Sequence, residues 1–127
     1  MNKLLKTLEP VVVFITGKYG RKKLVEQGRK IADEQNAPLE ILSVIPQSAD
    51  AYSKAEELED IYDLSKSVSA DDITVYYSDR ALQTAAMHVK QAKAKYMVIG
   101  LYYPPSEKYV DSLKKMIPDT LFSLSVV

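Results

Sequence analysis

An α/β fold with an open, five-stranded parallel sheet is what this sequence predicts, and three observations predict it. Short apolar runs alternate with segments of helical periodicity along the whole chain. The first run, Pro10 to Thr16, is β-branched and apolar on both faces, as in a central strand covered on each side by helices. Turn-forming and polar residues stand at the ends of the runs: Thr16 to Gly20, Ser78 to Arg80, and Gly100 to Ser106. In a parallel sheet with helical crossovers those ends share one rim, where open α/β sheets bind ligands. Short helices and close spacing favour an open sheet over a barrel, which needs about twice this length of chain.

Each element has its own justification. After the first strand, Gly17 and Gly20 break the run, and Leu24, Val25, Gly28, Ile31 and Ala32 recur at helical spacing from Arg21 to Gln35. Gly28 costs the helix about 1 kcal/mol against alanine, and close packing on the sheet is the expected offset. Pro38 restricts Ala37 and ends the segment. Leu39 to Ile45 is the second strand, stopped by Pro46. Asp50 to Lys66 is a helix with Ala51, Ala55, Leu58, Ile61, Tyr62 and Ser65 on its inner face, and its acidic stretch from Glu56 to Asp60 reads as a solvated surface. Ile73 to Tyr77 is the third strand, Arg80 to Ala94 the third helix with Leu82, Ala85, Ala86, Val89 and Ala92 inward, and Tyr96 to Leu101 the fourth strand. Ser106 to Met116 is a helix that buries Tyr109, Val110, Leu113 and Met116, and Leu121 to Val127 is the fifth strand.

With 127 residues, one domain spanning 1–127 is expected. The formal charge is zero, from 17 basic and 17 acidic residues, so no global field draws the chain to nucleic acid or to an anionic membrane. There is no cysteine, which excludes thiolate chemistry and fits a reducing, cytoplasmic setting. His88 with carboxylates alone makes a poor zinc site. No Gly-x-Ser-x-Gly elbow, paired-histidine motif or Rossmann Gly-x-Gly-x-x-Gly is present. His88 has no acidic partner in a recognisable arrangement, so catalysis is not expected.

At the rim, Lys18, Arg21, Lys22 and Lys23 surround Gly20 at a helix N-terminus, where free N–H groups favour an anion. The alternative is a solvated basic turn. Ser78 and Asp79 read either as the N-cap of the third helix or as ligand contacts. Tyr102 and Tyr103 cannot both enter the core of an extended segment, so one of them faces a ligand or a partner. Tyr76 and Tyr77 divide between the two faces of their strand.

Two stretches, Lys23 to Val44 and Ser112 to Val126, carry a resemblance to the universal stress protein family. Within it, the chain is similar to the stress-protein-like domain of KdpD-type, potassium-responsive sensor histidine kinases. The resemblance implies a Rossmann-like sheet in the order 3-2-1-4-5 and a nucleotide cleft where strands 1 and 4 diverge. ATP-binding members carry an acid after strand 1, and here that position is Thr16. Of the three glycines in their phosphate-binding signature only Gly100 is present, with Tyr103 and then Leu113-Lys114 at the other two positions. Some kinase-linked domains that lack this signature bind cyclic di-AMP.

Together these readings predict a noncatalytic signalling domain with no resident cofactor and ATP, AMP or cyclic di-AMP as ligand. The cleft is expected from Thr16, Gly17, Lys18, Tyr19 and Gly20, with Pro46, Gln47, Ser78 and Asp79, and with Gly100, Tyr102, Tyr103 and Ser106. The competing expectations are an interaction module that binds no ligand and a weak nucleotide hydrolase. A homodimer through the unblunted strand 121–127 is also expected, with no nucleic-acid or membrane partner.

Overall fold

A computed structural model describes residues 9–101 and 107–126. Strands β1 (Val11–Ile15), β2 (Leu39–Ile45), β3 (Asp72–Tyr77), β4 (Tyr96–Leu101) and β5 (Leu121–Val126) form one parallel sheet in the order β3-β2-β1-β4-β5. Helices α1 (Arg21–Gln35), α2 (Ala51–Ser67), α3 (Ala81–Ala92) and α4 (Glu107–Met116) connect successive strands. Both the predicted alternation and the predicted strand order are present.

The central strand shows why the order holds. All five residues of β1 are buried, and their alternation feeds two cores. Val11, Val13 and Ile15 pack with Leu24, Val25 and Ala32 of α1 and with Ile61 of α2. Val12 and Phe14 pack with Ala85, Ala86 and Val89 of α3 and with Val110 and Leu113 of α4. A strand buried on both faces has no room for polar side chains, hence its continuous apolar run.

Gly28 is where α1 meets the sheet. A Cβ built there would lie 2.1 Å from Val13 Cγ2, so only glycine lets the helix approach this closely. The expected packing offset is therefore real. Asn36, in the left-handed conformation at φ 52°, closes α1 through its N–H, which bonds to the carbonyls of Ala32 and Asp33.

Two expectations about the helices need correction. Tyr62 was expected on the inner face of α2 but is 47% exposed, because it sits about 100° around the helix from the buried Ile61. Ala51 and Ala55 are exposed as well, leaving Ile61 and Ser65 as the buried residues of α2. The third helix stops at Ala92, not Ala94, since Lys93 turns left-handed at φ 55° and its N–H caps the Lys90 and Val89 carbonyls. The two tyrosines of β3 separate as alternation requires. Tyr76 packs into the core beneath α3. Tyr77 is exposed, with the Lys54 ammonium 5.4 Å from its ring centroid.

Candidate functional site

Parallel pairing places the C-terminal ends of β1, β2 and β3 on one rim, with loops 16–20, 46–50 and 78–80 leaving from it. The rim loop after β1 depends on two left-handed glycines. Gly17 and Gly20 both have φ 68°, and Gly20 caps α1 without a side-chain bond. A Cβ disfavours this conformation, so the two glycines fix the loop's course. Thr16 is half-buried at its start, Lys18 is exposed, and Tyr19 is 81% exposed.

Arg21 locks this loop. Its Nε donates to the Gly17 carbonyl at 2.6 Å, while Nη1 donates to Glu57 and Asp60 of α2, both at 2.5 Å. Burial lowers the Arg21 pKa, but the hydrogen bonds and charges of Glu57 and Asp60 outweigh that and raise it above its ordinary value. Two expectations change as a result. The acidic stretch of α2 is not merely solvated, because two of its carboxylates hold Arg21. The basic turn is likewise not four cations awaiting an anion, because Arg21 is already neutralised.

Lys18 and Pro46 come together in a rim cavity of about 420 Å³, lined also by Arg21, Ser53 and Glu57. This cavity lies between α1, α2 and the end of β2. Gln47 is exposed beside it. Asp79 reaches across from the loop after β3, accepting from the backbone N–H of Ser48 at 3.2 Å and from its hydroxyl at 2.9 Å. Neither Ser78 nor Asp79 is the N-cap of α3. That position falls to Arg80, which makes no side-chain cap bond. Ser78 Oγ instead accepts from the Arg80 N–H at 3.0 Å and from the Thr84 hydroxyl at 3.1 Å. Asp79 thus marks a clasp between the loops after β2 and β3.

On the β4 side, Gly100 is buried one residue past the last β1–β4 pair. Tyr102, Tyr103 and Ser106 lie outside the described residues.

One polar constellation escaped the sequence reading. Glu40, on β2 and only 8% exposed, accepts from the Thr74 hydroxyl at 2.7 Å and pairs with His88 Nε2 at 2.9 Å. His88 Nδ1 is 2.9 Å from the Tyr76 hydroxyl. An ionised carboxylate can only accept, so Nε2 carries a proton and donates to Glu40. Burial raises the Glu40 pKa, but hydrogen bonds from His88 and Thr74 and the His88 charge outweigh it, leaving the carboxyl below its usual range. His88 therefore does have an acidic partner. The readable signal was Glu40 itself, a charge inside the apolar run from Leu39 to Ile45 that needs a partner when buried. The cluster begins at the second residue of β2, away from the rim, and ties α3 to the sheet.

Among the described residues, no helix is long and apolar enough to cross a membrane, and no group of three or more acids and histidines is placed to hold a metal ion.

No family model and no curated protein matches the sequence. Solved structures do match the fold. The universal stress protein from Archaeoglobus fulgidus in complex with dAMP aligns with a TM-score of 0.67 at 12% identity, over 94% of this chain and 98% of that one. A universal stress protein in complex with cAMP gives 0.62 at 21% identity, over 94% and 95%. A universal stress protein from Lactobacillus plantarum gives 0.64 at 16% identity, over 93% and 96%. The chain therefore has the fold of the universal stress proteins, over nearly its full length.

Proposed function

We propose that this chain is a noncatalytic signalling domain that binds a nucleotide at the rim where β1 and β4 meet. The observation that carries the proposal is the strand order: β1 is flanked by β2 and β4, so the chain reverses direction across the sheet at β1. Ligands of open α/β sheets settle at such switch points. The glycine loop, Thr16 to Gly20, leaves β1 at that place, ahead of the N-terminus of α1. Two proteins of the same fold hold dAMP and cAMP. The proposed contacts are Thr16, Gly17, Lys18, Tyr19 and Gly20, Pro46 and Gln47, Ser78 and Asp79, Gly100, and Tyr102, Tyr103 and Ser106.

The candidates are ATP, AMP and cyclic di-AMP. Thr16 stands where ATP-binding stress proteins place an acid, and only Gly100 remains of their three glycines, which favours the cyclic dinucleotide over ATP held in the usual way. The two resembling segments support a place in a KdpD-type sensor kinase of the cytoplasm. Ligand binding would act by selecting one loop arrangement or one dimer geometry.

Calorimetry with ATP, AMP and cyclic di-AMP is the test. Saturable binding of at least one without turnover is expected. Heat-silent titrations with all three would refute the reading, and steady release of product from ATP would refute its noncatalytic part. A ligand-free interaction module is the second reading, favoured by the neutralisation of Arg21 by Glu57 and Asp60.

A further inference from the structure

A second cavity, of about 380 Å³, opens at the opposite pole of the molecule. It is bounded by the C-terminal turn of α3, the approach to β1 at Glu9, and the turn from α4 into β5. Its floor is apolar: Val89, Ala94 and Ile117 are almost fully buried, and Met116 is partly buried beside them. Three lysines, Lys90, Lys93 and Lys95, stand around it, all exposed. None of them takes part in a salt bridge among the described residues.

The walls are preformed. Thr120 Oγ1 donates to the Ala94 carbonyl at 3.0 Å, and the Leu121 N–H donates to the Lys95 carbonyl at 2.7 Å. These bonds stitch the two turns together, so a ligand would not have to order them first. The volume falls in the range of small-molecule sites, and the lining divides between an apolar floor and a charged edge of Glu9, Lys90, Lys93, Lys95 and Asp119.

Charge decides the class of ligand. Three like charges around one apolar cavity repel each other, and an anion relieves that repulsion. Two carboxylates, Glu9 and Asp119, also line the cavity, so the excess is one positive charge. A polyphosphate would meet those carboxylates, whereas a single negative charge would not have to approach them closely. We propose that this cavity binds a monoanionic organic molecule, a carboxylate or sulfonate on an aliphatic or aromatic body, independently of the rim site. The body lies on Met116 and Ile117, and the anionic group meets the lysines.

Anilinonaphthalene sulfonate is the probe, titrated into the folded chain and followed by fluorescence and by methyl chemical shifts. One saturable site per chain is expected, with methyl shifts at Met116 and Ile117. The variant Lys90→Gln/Lys93→Asn/Lys95→Gln should weaken affinity roughly tenfold, from three exposed charge contacts. Asparagine is used at 93 because it tolerates the left-handed backbone found there. Asp119→Asn should instead tighten binding roughly two- to threefold by removing a repulsive carboxylate. Absence of saturable binding would overturn the assignment, as would affinity unchanged in both variants. Shifts confined to Leu121 and Leu124 at the β5 edge would place the dye elsewhere and overturn it equally.

Discussion

Gly28 and Glu40 are the two residues at which the chain departs most from what its local pattern asks for, and each departure has a measurable consequence. Alanine at 28 would gain about 1 kcal/mol of helix propensity. It would also put a Cβ 2.1 Å from Val13 Cγ2, closer than any real contact, in a core with no slack. Overpacking of this kind costs about 1–3 kcal/mol, so Gly28→Ala should lower the urea midpoint. Val13→Ala removes the clashing methyl, and the double variant should lose less than the two single ones summed. Glu40 is predicted to set an acid limit on stability. Its carboxyl sits below its ordinary value of 4.5 when folded, so its stabilisation is fully present above that value and fades as pH falls through the folded pKa. Glu40→Gln should cost about 1.5–3 kcal/mol at neutral pH, the scale of hydrogen bonds to a charged group. The gap between wild type and variant should narrow below pH 4.5. A gap that is constant with pH in urea titrations would show that Glu40 contributes packing and not charge.

At the scale of elements, what was readable in the sequence follows from locality. Strand and helix positions rest on periodicity within a few residues, and β1, α1 and β2 stand where Val11 to Ile15, Leu24 to Ala32 and Leu39 to Ile45 put them. Asp50, expected as the first residue of α2, is instead its N-cap: the side chain accepts the Ser53 N–H at 2.7 Å, and that bond lowers its pKa. The rim was legible only as a set of strand ends. Its contacts join residues distant in sequence, Arg21 with Glu57 and Asp60, and Asp79 with Ser48, and no short motif encodes such pairings. Reading Asp79 as an N-cap failed for the same reason, because the distant Ser48 donates to its carboxylate in place of a local N–H, while Ser78 is held locally by Arg80 and Thr84. Arg21 tests how much such a tie contributes. It is the shared partner of the glycine loop and α2, with its side chain 10% exposed while Asp60 is 53% exposed. Solvent screens part of the pair, so Arg21→Gln should cost about 1–2 kcal/mol, and the difference should shrink at high salt. Hydrogen exchange would locate the effect, with faster exchange expected in loop 16–20 and in the first turns of α2. Protection unchanged in both segments would show that Arg21 does not hold them together.

At the scale of the whole molecule, the sheet has two edges, β3 and β5, and they are protected differently. Lys54 lies over Tyr77 at the end of β3. Along β5, residues 121–125, Leu-Phe-Ser-Leu-Ser, include no lysine or proline to blunt the edge. Leu121 is 53% exposed on one face and Leu124 44% exposed on the other, while Phe122 packs partly into the core under α4. One side of β5 pairs with β4, from Tyr96↔Leu121 to Leu101↔Val126. The proposed homodimer would satisfy the other side, with a two-fold axis pairing β5 antiparallel to its copy and removing Leu121 and Leu124 from water. Apolar area is worth about 25 cal/mol per Å² removed, and the zero formal charge of the chain offers little repulsion against self-association. Light scattering over a concentration series should therefore give the mass of two chains at tens of micromolar, about the range accessible to a modest interface. Leu124→Lys should shift that equilibrium toward one chain, because it replaces an apolar side chain beside the open edge with a charge. A single-chain mass throughout the series would refute the dimer, and a dimer that survives Leu124→Lys would place its interface away from β5.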